Sequence, residues 1–190
     1  MYFVFRHLFA LMWLAWGLYW IISAWGIKSP VREESRLSRW LHFGPLLVGG
    51  WLLWPTNHFW PPLSVRFMQR TELSYWIAAA MTAAGLLFAV WARIHLGRNW
   101  SGSVTIKADH ELITSGPYRL ARHPIYTGLL LAFAGTALIV AEWRGVLALV
   151  IVFVALWRKL KLEERWMREQ FGQAYSDYAK RVSALVPFLL

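Results

Sequence analysis

Five apolar stretches, at residues 3–25, 40–56, 73–92, 125–141 and 145–159, alternate with polar segments that hold most of the charge. A helix needs about 20 residues, within a range of about 17–25, to cross ~30 Å of hydrocarbon. The first and third stretches meet that length. The second, WLHFGPLLVGGWLLWP, contains Pro45, Gly49 and Gly50, which predict a kinked helix. The last two are shorter, are separated by EWRG, and predict a tight helical hairpin. The pattern predicts an all-α, polytopic integral membrane protein of about five transmembrane helices. Its first span is read as uncleaved: the apolar run exceeds the ~7–15 residues of a signal peptide and no A-x-A-like site follows.

Charge predicts an orientation. With five spans, one side of the membrane receives residues 26–39, 93–124 and everything from Arg158 onward. Those segments hold sixteen of the twenty Lys and Arg residues; Arg6, Arg66, Arg70 and Arg144 lie on the other side. The positive-inside rule places the richer side in the cytoplasm, with the N-terminus outside and the C-terminus inside.

Composition narrows the partners. Of 190 residues, 58% are hydrophobic and 16% charged, against about 25% charged in soluble domains. The net charge of +10 is spread between apolar runs rather than gathered in one patch, which predicts anionic membrane lipids and not nucleic acid as its counterpart. The absence of cysteine excludes disulfides, thiolate metal sites and cysteine nucleophiles. Trp25, Trp40, Trp54, Trp60, Trp143 and Trp157 fall near span ends, as interfacial belts require. Gly128, Ala132 and Gly135 put small residues on one helix face, suited to close packing in lipid. The sequon NWS at 99–101 falls on the predicted cytoplasmic side, which argues against its use.

The candidate chemistry clusters on that cytoplasmic side. The loop HLGRNWSGSVTIKADHELITSGPYRLARHPIYTG is too long for a structureless connection in a compact protein, and its Gly, Ser and Thr residues predict a folded, turn-rich segment over the hairpin. Pro124 restricts His123 and can open the fourth helix. Amides at that helix start, with Arg122, predict an anion site; an interfacial helix start with snorkelling Arg and Tyr is the equal alternative. Beyond the fifth span, Lys159 and Glu163 share a face at i, i+4, and Glu164 pairs with Arg168. Glu164 reads as an exposed ion pair of small value, and Glu163 as the functional carboxylate. His95, His110 and His123 lack ligand-like spacing, so no metal is expected.

RHPIY, then EE across 36 intervening residues, then FGQAYSDYAKRVSALVPF resembles the isoprenylcysteine carboxyl methyltransferase family, within a wider group that includes phospholipid methyltransferases. The match covers about residues 90–190; residues 1–75 carry no comparable signature. The resemblance implies N-terminal helices at 1–75 for anchoring or substrate access and a methyltransferase core at 76–190. It implies a cytoplasm-facing pocket for S-adenosylmethionine (SAM), capped by the C-terminal segments. Ser103, His110, Glu111, Leu112, Ile113, Tyr118, Arg122, His123, Pro124, Ile125, Tyr126 and Glu163 are the cofactor-binding candidates. Where the eukaryotic enzymes resemble one another in placing an Arg at the substrate, this chain has Lys159, preceded by Arg158. Lys offers a point charge and not a bidentate fork. Together with Glu163 these are the catalytic candidates.

The implied reaction is methyl transfer to a lipidic acceptor drawn from the bilayer. A carboxylate acceptor needs only orientation by a cation, whereas an amine must lose a proton, a task for Glu163. O-methylation of a prenylcysteine-like carboxylate is the leading expectation. N-methylation of a phospholipid amine, an NADPH-dependent sterol-reductase-like activity and a non-enzymatic scaffold are the alternatives.

Overall fold

The computed structural model describes residues 2–25, 30–54, 60–107 and 111–186. Among the described residues six α-helices carry the fold: α1 (Tyr2–Ser23), α2 (Arg36–Leu53), α3 (Glu72–Leu96), α4 (Pro124–Val140), α5 (Trp143–Phe171) and α6 (Gln173–Arg181). Each of the first five overlaps one of the five apolar stretches, and α5 runs on to Phe171, past the end of its stretch. By length and composition one helix among the described residues, within Glu72–Asn99, could cross a membrane unaided; His7–Ser23 and Pro124–Val140 are shorter apolar helices.

Local chemistry sets the helix ends. The Ser35 side chain accepts from the Ser38 amide and starts α2, which passes through Pro45 as a single helix. Thr71 and Ser74 bond reciprocally and start α3. Gly172, at φ +52, turns the chain from α5 into α6, a backbone region open to glycine at little cost. The α4–α5 hairpin turns on Ala141 at φ +56, which is unfavourable for a residue with a Cβ. Bonds from Phe67 N to Ala141 O (3.1 Å) and from Trp143 N to Val65 O (3.2 Å) hold that turn.

Small residues decide the packing. A Cβ on Gly85 would overlap the Gly128 carbonyl oxygen, and one on Gly135 would overlap Thr82 and the Ala78 carbonyl. Helices α3 and α4 therefore touch backbone to backbone along the face formed by Gly128, Ala132 and Gly135. Gly49 likewise lets α2 settle on Val152 of α5. At one end of the bundle the Arg144 guanidinium caps α2 by donating to Leu52 O (2.6 Å) and Trp54 O (2.8 Å), while its Nε bonds Glu142 at 2.6 Å. These carbonyls would otherwise lack partners at the helix end.

One element departs from the all-α expectation. β1 (Pro30–Glu33) and β2 (Thr105–Lys107) form an antiparallel ribbon. Strands of four and three residues are too short to show an alternating pattern, and their partners lie more than seventy residues apart. The ribbon joins the segment before α2 to the long loop between α3 and α4.

Candidate active site

The end of the bundle that bears the RHPIY segment is organised around two adjacent carboxylates. Glu163 and Glu164 extend from α5 beyond its apolar stretch, about 100° apart around the helix. The Tyr126 hydroxyl donates to Glu163 at 2.6 Å. His123 Nδ1 lies 3.4 Å from the same carboxylate, and Lys159 Nζ lies 3.9 Å from it. The His123 and Tyr126 rings are parallel within 3°, with centroids 5.4 Å apart. Lys159 Nζ donates to the Gly102 carbonyl at 2.9 Å. The Glu163 side chain keeps 23% of its surface open and faces a cavity of about 1150 Å³.

Glu164 differs in kind. Its side chain is 2% exposed and receives the Arg122 guanidinium at 2.6 Å and that of Arg168 at 3.0 Å. Arg122 also donates to the carbonyls of Ala179 (3.0 Å) and Val182 (2.5 Å). The sequence expectation of an exposed Glu164–Arg168 pair is thus corrected: Arg122 approaches from the loop, a contact that helix spacing cannot reveal. Nor is Arg122 an open anion receptor at a helix start, since Glu164 neutralises it. The Arg122 and His123 amides donate to Ser183 O (2.9 Å) and Ala184 O (3.0 Å). The C-terminal segment fills the place expected for an anion.

Electrostatics follow from this wiring. Burial opposes charge on His123, but the neighbouring Glu163 and Glu164 carboxylates outweigh it and raise its pKa above the ordinary imidazole value. Burial likewise opposes charge on Glu163, yet His123, Lys159 and Tyr126 together hold its pKa below the usual carboxylate range. For Glu164, the neighbouring His123 and the bonded Arg122 overcome burial and bring the pKa to about 2. The imidazole thus sits beside two carboxylates that favour its protonated form.

The other candidates divide clearly. Ser103, Glu111, Leu112, Ile113, Tyr118, Arg122, His123, Pro124, Ile125, Tyr126, Lys159 and Glu163 all border the cavity. His110 lies outside the described residues. Arg158 points away: it is exposed, donates to Ser38 at 3.2 Å through each of two nitrogens, and does not border the cavity. Sequence reasoning missed Trp166, Met167, Gln170, Tyr175 and Tyr178, which line the same end. The i, i+3 spacing of Tyr175 and Tyr178 on amphipathic α6 was the available signal. The Tyr178 hydroxyl ties α6 to the loop by donating to Tyr118 O at 2.6 Å.

From this polar end the cavity continues between α1, α2 and α4, past Trp13, Trp16, Trp20, Leu46, Leu129 and Phe133. Its rim includes Leu14, Phe43, Leu47 and Trp54, each more than half exposed. α1 packs chiefly on α3 and α2 on α5, leaving an apolar gap between α1 and α2.

Residues 73–174 match the phospholipid methyltransferase family, and the chain belongs to that family. It is 31% identical over 132 residues to protein-S-isoprenylcysteine O-methyltransferase B of Arabidopsis thaliana, covering 65% of this chain and 66% of that one. Against protein-S-isoprenylcysteine O-methyltransferase of Rattus norvegicus it is 30% identical over 176 residues, covering 85% of this chain and 57% of the rat protein. The chain therefore spans about two thirds or less of the length of the curated relatives it matches. The fold is similar to that of a eukaryotic intramembrane Ras methyltransferase, an isoprenylcysteine carboxyl methyltransferase, with a TM-score of 0.54 at 21% identity, covering 84% of this chain and 55% of that one.

Proposed function

We propose that this protein is an integral-membrane, SAM-dependent methyltransferase acting on a lipid-borne acceptor, with a prenylcysteine-like carboxylate as the favoured class. The observation that carries this reading is the single cavity joining the Glu163–His123–Tyr126 cluster to the apolar gap between α1 and α2. A soluble, charged cofactor and a greasy acceptor need such different surroundings to meet. The donor set fits the cofactor: a partly open, ionised carboxylate suits an ammonium or hydroxyl, and the aromatic rings around it offer flat apolar walls.

When bound, SAM supplies an electrophilic methyl group. The chain's own task is alignment, which can lower a barrier by about 7–11 kcal/mol. Glu163, braced by Tyr126 and His123, positions one reactant. Lys159 presents a cation at the cavity wall, where it orients an anionic acceptor. Arg158, turned to Ser38, has no part in that step. Glu163 is a poor proton acceptor because its pKa is depressed, and this favours a carboxylate acceptor over an amine. Burying the acceptor's apolar portion contributes about 0.8 kcal/mol per CH₂.

The proposed topology is five spans, with the site and C-terminus cytoplasmic, supported by the sixteen-to-four division of basic residues. Purified protein in nanodiscs should transfer labelled methyl from SAM to N-acetyl-farnesylcysteine, giving a base-labile product. Base-stable label on phosphatidylethanolamine instead would overturn the carboxylate assignment. Calorimetric binding of NADPH without SAM would overturn the methyltransferase reading itself.

A further inference from the structure

Outside the cavity, a buried glutamate–histidine pair joins the N-terminal half of the chain to the wall of the site. Glu34 follows β1 directly and is 6% exposed; His42 lies on α2 and is 2% exposed. Neither borders the cavity. Glu34 Oε1 accepts the Val104 amide at 3.0 Å and lies 3.1 Å from His42 Nε2. The Glu34 amide in turn donates to Val104 O at 3.1 Å. Val104 is thus gripped at both its N–H and its C=O by one residue.

The grip acts on the site. Val104 is 2% exposed and borders the cavity with Gly102 and Ser103. The Gly102 carbonyl, two residues away, receives Lys159 Nζ at 2.9 Å. That ammonium sits 3.9 Å from Glu163 and 5.5 Å from the Tyr126 ring centroid. An unbroken series of contacts therefore runs from His42 through Glu34, Val104 and Gly102 to Lys159. Fastening the ribbon requires only the backbone bonds of the ladder. A carboxyl group at this depth is costly unless hydrogen-bonded, and an apolar residue would fill the position at lower cost. What the carboxylate adds is a fixed orientation for the peptide group between Ser103 and Val104.

We infer that Glu34 and His42 are a positioning pair, which sets the 102–104 wall and through it the place of the Lys159 ammonium. This rests on the reading of Lys159 as the cation that orients the acceptor. Residues 1–75, beyond their helices, then supply a specificity-determining element to a site whose recognised motifs all lie in the C-terminal half.

Two arms test it on the full chain in nanodiscs, with Lys180→Gln, at an exposed position on α6, as a surface control. The first needs no turnover. Ser103→Cys, in a chain otherwise free of cysteine, is labelled with a maleimide. Adding Glu34→Ala should raise the labelling rate about tenfold as local opening becomes easier. Glu34→Gln, which keeps an acceptor for the Val104 amide, should raise it less than about threefold, and His42→Gln should fall between. The second is a double-mutant cycle on the acceptor KM. Glu34→Ala and Lys159→Ala should each raise KM about tenfold, and together no further, because one acts through the other. Unchanged labelling, or effects on KM that multiply, would overturn the inference. Should Glu34→Ala fail to fold, Glu34→Gln carries the same cycle with an expected rise of about threefold. Altered labelling in a protein that neither binds nor turns over SAM would sink the methyltransferase reading and leave the positioning of the wall standing.

Discussion

Tyr126 donates its hydroxyl to Glu163 at 2.6 Å, and that bond closes a ring of contacts with His123, whose imidazole reaches both neighbouring carboxylates. The two glutamates share this histidine and little else. Glu163 faces the cavity with Lys159 behind it; Glu164 faces the protein with two arginines around it. Adjacent identical residues thus have separate duties, and they should fail in different ways.

Replacing Glu163 with Gln should weaken binding of SAM, or of its demethylated product, while leaving the fold intact. A charge-assisted hydrogen bond contributes about 1.5–3 kcal/mol, so affinity should fall about 10- to 100-fold. Tyr126→Phe removes one support of that carboxylate and should cost less, about 3- to 10-fold. Calorimetry on variants with matched melting temperatures measures both.

Glu164→Gln should instead show up in stability. It leaves the Arg122 guanidinium, 13% exposed in its side chain, without its carboxylate. Removing one partner of a buried ion pair costs about 3–5 kcal/mol, which for a chain of this size is roughly 6–20 °C in Tm. A variant that melts with the wild type would show Arg122 to be satisfied by the 179 and 182 carbonyls alone.

The same residue predicts an acid signature. A carboxylate whose folded pKa is about 2 stabilises fully above its ordinary pKa, and that contribution is lost as pH falls toward the folded value. Wild-type protein should lose Tm between about pH 5 and pH 3, and Glu164→Gln should lose less over that window. His123, with a raised pKa, acts at the opposite edge: its contribution is complete below the ordinary imidazole value and fades as pH rises through the folded one.

Helix contact gives a fourth expectation. Gly85→Ala should destabilise by about 1–3 kcal/mol, because the added methyl meets the backbone of α4. Gly17→Ala, on a helix face with nothing within 4 Å, should raise stability slightly or leave it unchanged. Equal melting of the two variants would refute backbone contact between α3 and α4.

Orientation can be read with a single cysteine. Introduced at Ser176 on α6, it should resist an impermeant maleimide in intact cells and react after permeabilisation. Labelling in intact cells would reverse the proposed topology.

Much of the fold was legible because apolar length is a one-dimensional property. The five long helices, the start of α4 at Pro124 and the small-residue face around Gly128 could all be read from local pattern. The site was legible where spacing along one helix decided it, as for Lys159 and Glu163. It was illegible where partners came from distant segments. Arg122 lies 42 residues from Glu164 in sequence and Glu34 lies 70 from Val104; no periodicity connects either pair. The β1–β2 ribbon was hidden for the same reason, its register depending on two short segments that meet only after the helices pack.

The C-terminal segment that receives the Arg122 and His123 amides, and whose Leu185 carbonyl receives the Thr127 hydroxyl at 2.6 Å, fixes an order of events during biosynthesis. At about 5–20 residues per second, the helices that frame the pocket leave the ribosome before residues 183–185 do. A nascent chain stalled short of that point holds the ring of Glu163, His123 and Tyr126 without its closing seam. Protection of the chain from proteolysis by ligand should therefore arise only after these last contacts have been synthesised.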